Sequence, residues 1–279
     1  MTAGPIERNA SWCRGSEPFP GDEGYPFVNL FWLKLALTPL FITVIVLAGR
    51  RWGPAVGGWI AGLPLTSGPV SLFLALEQGR AFAGDAAVSS LAGGAAVGVF
   101  CLAYALTAAR RGWMTSTACG LTVFFGGAVL LRFLPLSLWP TFVAVFLILL
   151  GVRFLLPAPD RRILDVASPW WDLPAQAVVA TAMVILLTGG AQVLGARWSG
   201  LLAPFPLFAN VTVAFAHRNQ GTQAVLAVLR GIAMALFAFA VFFLLVVGLL
   251  PRIGIGWTYA LAAAGAVAVN GLSLRGLHR

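Results

Sequence analysis

The stretch GGWIAGLPLTSGPVSLFLALEQG, residues 57–79, decides how this chain folds. It is apolar enough to cross a membrane, because a span needs about 20 apolar residues. Its centre nevertheless holds two prolines, Pro64 and Pro69, and two glycines, Gly62 and Gly68. Proline removes a backbone donor and clashes with the preceding helical turn. We therefore predict a membrane helix that is interrupted at its centre.

The composition of the whole chain predicts an integral membrane protein. Hydrophobic residues make up 59% of the 279 positions and charged residues only 10%, which is too few to cover the surface of a soluble domain. The net charge of +9 would suit a nucleic-acid-binding protein, but the arginines stand singly or in pairs between apolar runs. We therefore expect no nucleic-acid partner and interpret the arginines as topology signals.

The long apolar runs predict an all-α integral membrane protein with about nine transmembrane helices. The predicted spans are 27–49, 55–76, 86–109, 113–131, 138–156, 173–194, 198–216, 223–250 and 255–274. We expect four regions along the chain. They are a flexible polar tail (1–26), a first membrane repeat (27–137), a connecting helix and loop (138–172) and a second membrane repeat (173–279).

The second repeat is suggested by SGLLAPFPLFANVTVAFAHRNQG, residues 199–221, which aligns with the opening stretch at an offset of 142 residues. Seven of 23 positions are identical, including the pair Pro64 and Pro206, whereas chance would give about two. Five predicted crossings separate the copies, so they run in opposite directions. This predicts an inverted-topology repeat (4+1+4) with interrupted helices two and seven, as in secondary transporters. Ordinary kinks or tight small-residue packing are the alternative explanation of the breakers.

WIAGLPL (59–65) and PLFANVTVAFAH (206–217) resemble the GlpM-like family of small bacterial inner-membrane proteins, as a duplicated and diverged version. This resemblance implies the bacterial inner membrane and an association with exopolysaccharide production. Ten arginines fall in the predicted inside segments and six in the outside ones when the N-terminus is placed outside. The positive-inside rule therefore predicts an outside N-terminus and a cytoplasmic C-terminus.

Polar residues at the paired breaks are the candidate substrate-binding residues. Asn210 is the strongest, since an amide cannot satisfy all its hydrogen bonds within its own helix. Ionisable residues near the spans are candidates for coupling or charge contact. The full substrate-binding set is Asn210, Ser67, Thr66, Thr212, Pro64, Pro206, Gly62 and Gly68, and the charged set is Glu77, Lys34, Arg230 and His217.

These features favour a secondary transporter or permease for a small solute, which would bind at the midplane between the two broken helices. We expect no enzyme activity, because no nucleophile with a base and no metal-ligand cluster is apparent. We also expect no metal and no cofactor. The partners are the solute and the lipid bilayer, with a homodimer or an envelope complex also open. A non-transporting scaffold of an exopolysaccharide or envelope assembly, and a lipid-handling membrane protein, remain alternative functions.

Overall fold

The computed structural model describes residues 30–65, 67–159, 171–191 and 205–277, and these contain ten α-helices and no strands. The helices are α1 (Leu30–Trp52), α2 (Pro54–Ala61), α3 (Ser67–Glu77), α4 (Gly79–Ala108), α5 (Trp113–Phe133), α6 (Leu138–Leu155), α7 (Asp172–Ala191), α8 (Leu207–Gln220), α9 (Thr222–Ile253) and α10 (Ile255–Leu277). The all-α prediction is confirmed.

Five of the described helices, α4, α5, α6, α9 and α10, are long and apolar enough to cross a membrane. The side chains of α4 are mostly buried, whereas α5 and α6 expose most of their apolar surface. Phe133 and Phe154, for example, are each 79% exposed. Apolar surface on this scale suits a hydrocarbon surrounding and not water. The chain is therefore built as a multi-pass membrane protein.

The predicted interruption of the second span is confirmed. This span forms two helices, because α2 ends at Ala61 and α3 begins at Ser67. Four residues of the connecting segment, 62–65, are described, and they include Pro64. In the seventh predicted span, α8 begins at Leu207, directly after Pro206. The part of that span before residue 205 lies outside the described residues.

The long helix α9 is the centre of the bundle, since it packs on α2, α4, α6, α8 and α10. Its contact with α2 is made backbone to backbone. A Cβ added to Gly58 of α2 would lie 2.0 Å from the Val228 carbonyl oxygen, and one added to Gly231 would lie 2.0 Å from the Ala55 carbonyl oxygen. Small residues at such spacing let membrane helices approach closely. The small-residue alternative therefore explains part of this glycine pattern.

The packing of the other helices follows two parallel series. Helix α4 packs on α3, α5 and α6, and α9 packs on α8, α10 and α6. The pair α5 and α8 is in contact, as is the pair α10 and α3. Two further contacts, α1 with α7 and α4 with α9, join the first half of the chain to the second.

The helix ends collect at two ends of the bundle. Arginines at or next to the described helix ends gather at one of them, where α1, α4 and α6 end and α5 and α7 begin. These are Arg50, Arg51, Arg110, Arg111 and Arg153. Contacts between these helices fix this grouping, for example the 3.4 Å hydrogen bond from Thr222 at the start of α9 to the Ala108 carbonyl. We call this the arginine-rich end.

The close approach of α2 and α9 gives a first prediction. Gly231→Ala should lower the melting temperature in detergent by roughly 2–12 °C, because the added methyl group meets the α2 backbone and overpacking costs about 1–3 kcal/mol. Gly248→Ala is the matched control, since it lies on the same helix and its Cβ would meet no atom within 4 Å. Equal melting temperatures for the two variants would contradict the close contact.

Candidate functional site

The first break is held by a short series of tight backbone turns. After Gly62, the Leu65 N–H donates to the Leu63 carbonyl at 2.7 Å, and the Gly68 N–H donates to the Pro64 carbonyl at 2.9 Å. These bonds span two and four residues, so they reverse and then restart the helix within one turn. The helical path is therefore interrupted without leaving all of its polar groups unpaired.

The second break has the same local bonding. The Leu207 N–H donates to the Phe205 carbonyl at 2.6 Å, and the Asn210 N–H donates to the Pro206 carbonyl at 2.6 Å. Each of these four positions lies 142 residues after its counterpart in the first break. The two prolines thus accept the same bond from the residue four positions on, at the first turn of the helix that follows.

The two breaks meet around one cavity of about 30 Å³. The first break contributes Gly62, Leu63 and Ser67, and the second contributes Pro206 and Leu207. Side chains of α9 and α4 close the remaining sides. A water molecule needs about 10–15 Å³ of such space, so the cavity has room for about two waters. The structure is therefore a conformation in which a site for a larger solute is closed.

Three of the predicted substrate-binding residues line this cavity: Ser67, Gly62 and Pro206. The Ser67 side chain is only 2% exposed. Gly62 also packs against α9, where an added Cβ would lie 2.8 Å from the Ile232 carbonyl oxygen. Pro64 lies within the break and is half-buried. Thr66 lies outside the described residues.

The remaining three predicted residues are buried beside the cavity instead of lining it. Gly68 faces the ring of Phe242, whose nearest carbon would lie 3.4 Å from an added Cβ. Asn210 and Thr212 are buried in α8, and the Asn210 Oδ1 and Thr212 Oγ1 atoms have no hydrogen-bond partner. An unsatisfied buried polar atom costs about 1–3 kcal/mol, so these two atoms point to a second arrangement of α8.

The predicted charged residues do not gather at the cavity. Arg230 donates from Nη2 to the Leu156 carbonyl at 3.3 Å, and His217 Nδ1 lies 3.4 Å from the Tyr104 hydroxyl. Both contacts lie toward the arginine-rich end. Lys34 lies in α1 and Glu77 ends α3, but their side chains lie outside the described part of the chain.

A buried carboxylate at the arginine-rich end was missed by the sequence analysis. Asp172, the first residue of α7, is 3% exposed. It accepts hydrogen bonds from Asn219 Nδ2 at 2.8 Å and Gln176 Nε2 at 3.1 Å, and Arg50 Nη2 lies 3.8 Å away. These partners come from α8, α7 and α1. The available signal was an acidic residue at the start of a predicted span, on the side predicted to be rich in arginine.

An aromatic pair flanks this cluster. The Arg218 guanidinium lies over the rings of Trp113 and Trp171, with its carbon 5.9 and 5.7 Å from the two ring centroids. Such cation–π contacts are worth about 0.5–1 kcal/mol at exposed sites. Arg218 therefore ties the end of α8 to the start of α5 and to the residue before α7.

The opposite end of the bundle has a simpler polar contact. The Ser71 and Tyr259 hydroxyls are 2.7 Å apart and buried, and they join α3 to α10. Both helices belong to different halves of the chain. The cavity therefore has one interhelical polar contact toward this end and the Asp172 cluster toward the other.

No family model, no curated protein and no solved structure matches this chain. The resemblance to the GlpM-like family therefore stays a prediction. Within the part of the chain that the structure describes, no group of three or more His, Cys, Asp or Glu side chains could hold a metal ion. The functional argument accordingly rests on the cavity, the two breaks and the polar contacts at each end.

The unpartnered amide gives a second prediction. Asn210→Leu should leave the free energy of unfolding unchanged or raise it by about 1–3 kcal/mol, because it removes a buried polar atom that lacks a partner. Asn219→Leu is the control, since it removes an amide that donates to Asp172 and should lower the stability. Thermal unfolding of the purified variants measures both. A clear loss of stability in Asn210→Leu would show that its amide is satisfied in the folded state.

Proposed function

We propose that this protein is a secondary transporter or permease for a small solute. The observation that carries the proposal is the single cavity where two broken helix segments meet. Backbone that is not helical is tolerated at membrane depth only where protein or a water-filled cavity satisfies it. Paired interrupted helices mark the binding site in many transporters. The solute would bind between the two breaks, in an enlarged form of the cavity.

The packing of the helices supports an inverted repeat. Exchanging α3 with α8, α4 with α9 and α5 with α10 converts the observed contacts α3–α4, α4–α5 and α3–α10 into α8–α9, α9–α10 and α8–α5, which also occur. Helix α6 packs on both α4 and α9. This pattern fits four spans on each side of a connecting fifth, the 4+1+4 arrangement proposed from the sequence.

Local geometry at an offset of 142 residues supports the same repeat. Gly79 and Gly221 have φ angles of 83° and 86°, values that favour glycine, at the starts of α4 and α9. Ser116 and Thr258 each donate a side-chain bond to the carbonyl four residues back, at 3.1 and 2.6 Å. The matched turns at the two breaks add a third pair. Coincidence would not be expected to keep one offset through breaks, glycines and hydroxyls.

Alternating access would then follow from the contacts between the halves. The pairs α1–α7 and α4–α9 join the two repeats, and relative rotation at these surfaces would open the cavity to one side at a time. The described state is closed, because its cavity is too small for a metabolite. Ser67 supplies a hydroxyl to the cavity, while Asn210 and Thr212 would turn toward the solute when α8 moves.

We further propose the bacterial inner membrane, with the arginine-rich end facing the cytoplasm. The positive-inside bias supports this orientation. It can be tested with the native Cys13 in a variant whose Cys101 and Cys119 are replaced by alanine. Cys13 should react with a membrane-impermeant maleimide in spheroplasts. Arg110→Cys, in a variant without the other cysteines, should react only in inverted vesicles. The reverse pattern would contradict the orientation.

Transport itself is tested in two steps. A thermal-shift screen of the purified protein against small metabolites identifies a binder, because a ligand of the folded state raises its melting temperature. Flux of that binder is then measured in proteoliposomes. Asn210→Leu and Pro64→Ala should reduce flux about tenfold or more, because the first removes a polar contact and the second favours a continuous helix.

Gly248→Ala is the control for the transport experiment, since it lies outside the breaks and meets open space. It should transport like the wild type. Wild-type flux in folded Asn210→Leu and Pro64→Ala would refute the site between the breaks. Absence of a binder together with a tightly co-purifying envelope protein would favour the scaffold function instead.

A further inference from the structure

Asp172 is the described carboxylate with the strongest set of interhelical contacts. It is 3% exposed and accepts hydrogen bonds from Asn219 at 2.8 Å and Gln176 at 3.1 Å. The Arg50 guanidinium lies 3.8 Å away and is 34% exposed, so it reaches the carboxylate from the edge of the bundle. A buried carboxylate requires such partners, since an uncompensated charge at this depth would be costly.

These contacts join helices that alternating access would separate. Arg50 ends α1 in the first half of the chain, whereas Asp172 and Asn219 lie on α7 and α8 in the second half. Only the bond from Gln176 stays within one helix. The carboxylate is therefore the common acceptor for the arginine-rich ends of α1 and α8.

Helix α8 connects this cluster to the cavity. Its first residue, Leu207, lines the cavity, and Asn219 lies about 18 Å further along the helix at 1.5 Å per residue. Residues 207–213 are all buried, although Asn210 and Thr212 each hold a polar atom without a partner. The Gln176 Oε1 atom, beside Asp172 on α7, is also buried and unpartnered. These orphaned acceptors lie along the helix from the cavity to the cluster.

We propose that Asp172 is a latch that holds α8 against α1 and α7 and so closes an aqueous pathway from the arginine-rich end to the cavity. Release of Asn219 and Arg50 from the carboxylate lets α8 move away and admits water along it. Water then satisfies the acceptors on Asn210, Thr212 and Gln176 that lack partners in the closed state. This inference rests on the proposed transport function and assigns Asp172 a positioning role within it.

Cysteine accessibility tests the latch. Ala209→Cys places a thiol at the cavity, in a variant whose three native cysteines are replaced by alanine. The full-length protein is kept in membrane vesicles, and a membrane-impermeant maleimide is added at the arginine-rich face. Asp172→Asn should raise the rate of labelling about tenfold or more, because a charge-assisted bond is replaced by neutral ones. Arg50→Gln should raise it in the same direction.

Gln176→Leu is the matched control. It removes a hydrogen bond to the same carboxylate, but one that lies within α7, so the labelling rate should stay near that of the parent. Labelling at the opposite face should not increase in any of these variants. If Asp172→Asn does not fold, Arg50→Gln decides the outcome, since Arg50 is partly exposed and its replacement leaves the carboxylate bonded to two amides.

Three results would overturn the latch. The first is an equal labelling rate for the parent, Asp172→Asn and Arg50→Gln at the arginine-rich face, with the thiol reactive. The second is an equal increase in Gln176→Leu, which would indicate general loosening. In both cases the transport proposal survives. A thiol that reacts from neither face in the parent or in any variant would refute alternating access, and the latch with it.

Discussion

The backbone contact between α2 and α9 is the constraint on which the rest of the bundle depends. Gly58 and Gly231 leave no space for a Cβ, so the two helices cross with their main chains touching. Dispersion contacts at such distance are a main source of helix association where lipid removes the usual hydrophobic driving force. The contact also fixes Gly62 against α9 and thereby sets where α2 ends. The break therefore occurs beside the wall of a central helix and not at the lipid surface.

The cavity follows from this position. Proline and glycine at the break free backbone groups that hydrocarbon cannot satisfy, so the segment must bond within itself or face a polar space. It does both, through the tight turn at Leu65 and through the cavity that Ser67 lines. The second break repeats the turn at Leu207. A site made in this way draws on main-chain geometry, and few polar side chains are needed to define it.

The sequence predicted the break well and its surroundings poorly. Gly62, Pro64 and Gly68 have local effects on the backbone, and the helices end within a few residues of them. The role of Asp172 depended on Arg50 and Asn219, which lie more than a hundred and nearly fifty positions away in the chain. Periodicity holds no information about such partners. The glycine at position 58 was visible as a small residue, but its partner on α9 was not.

The two ends of the cavity are closed by contacts of different strength. The Ser71–Tyr259 bond is neutral, and such a bond contributes about 0.5–1.5 kcal/mol, whereas bonds to a charged group contribute about 1.5–3 kcal/mol. At the arginine-rich end the Asp172 carboxylate accepts two bonds and lies beside a guanidinium. Breaking the polar contacts there costs more than breaking the single bond at the other end. If the rest of the packing is balanced by the repeat, the closed protein opens more readily at the Ser71–Tyr259 end. An exchange between the two open states then requires the charged contacts of Asp172 to be replaced, either by water or by a ligand that reaches α8.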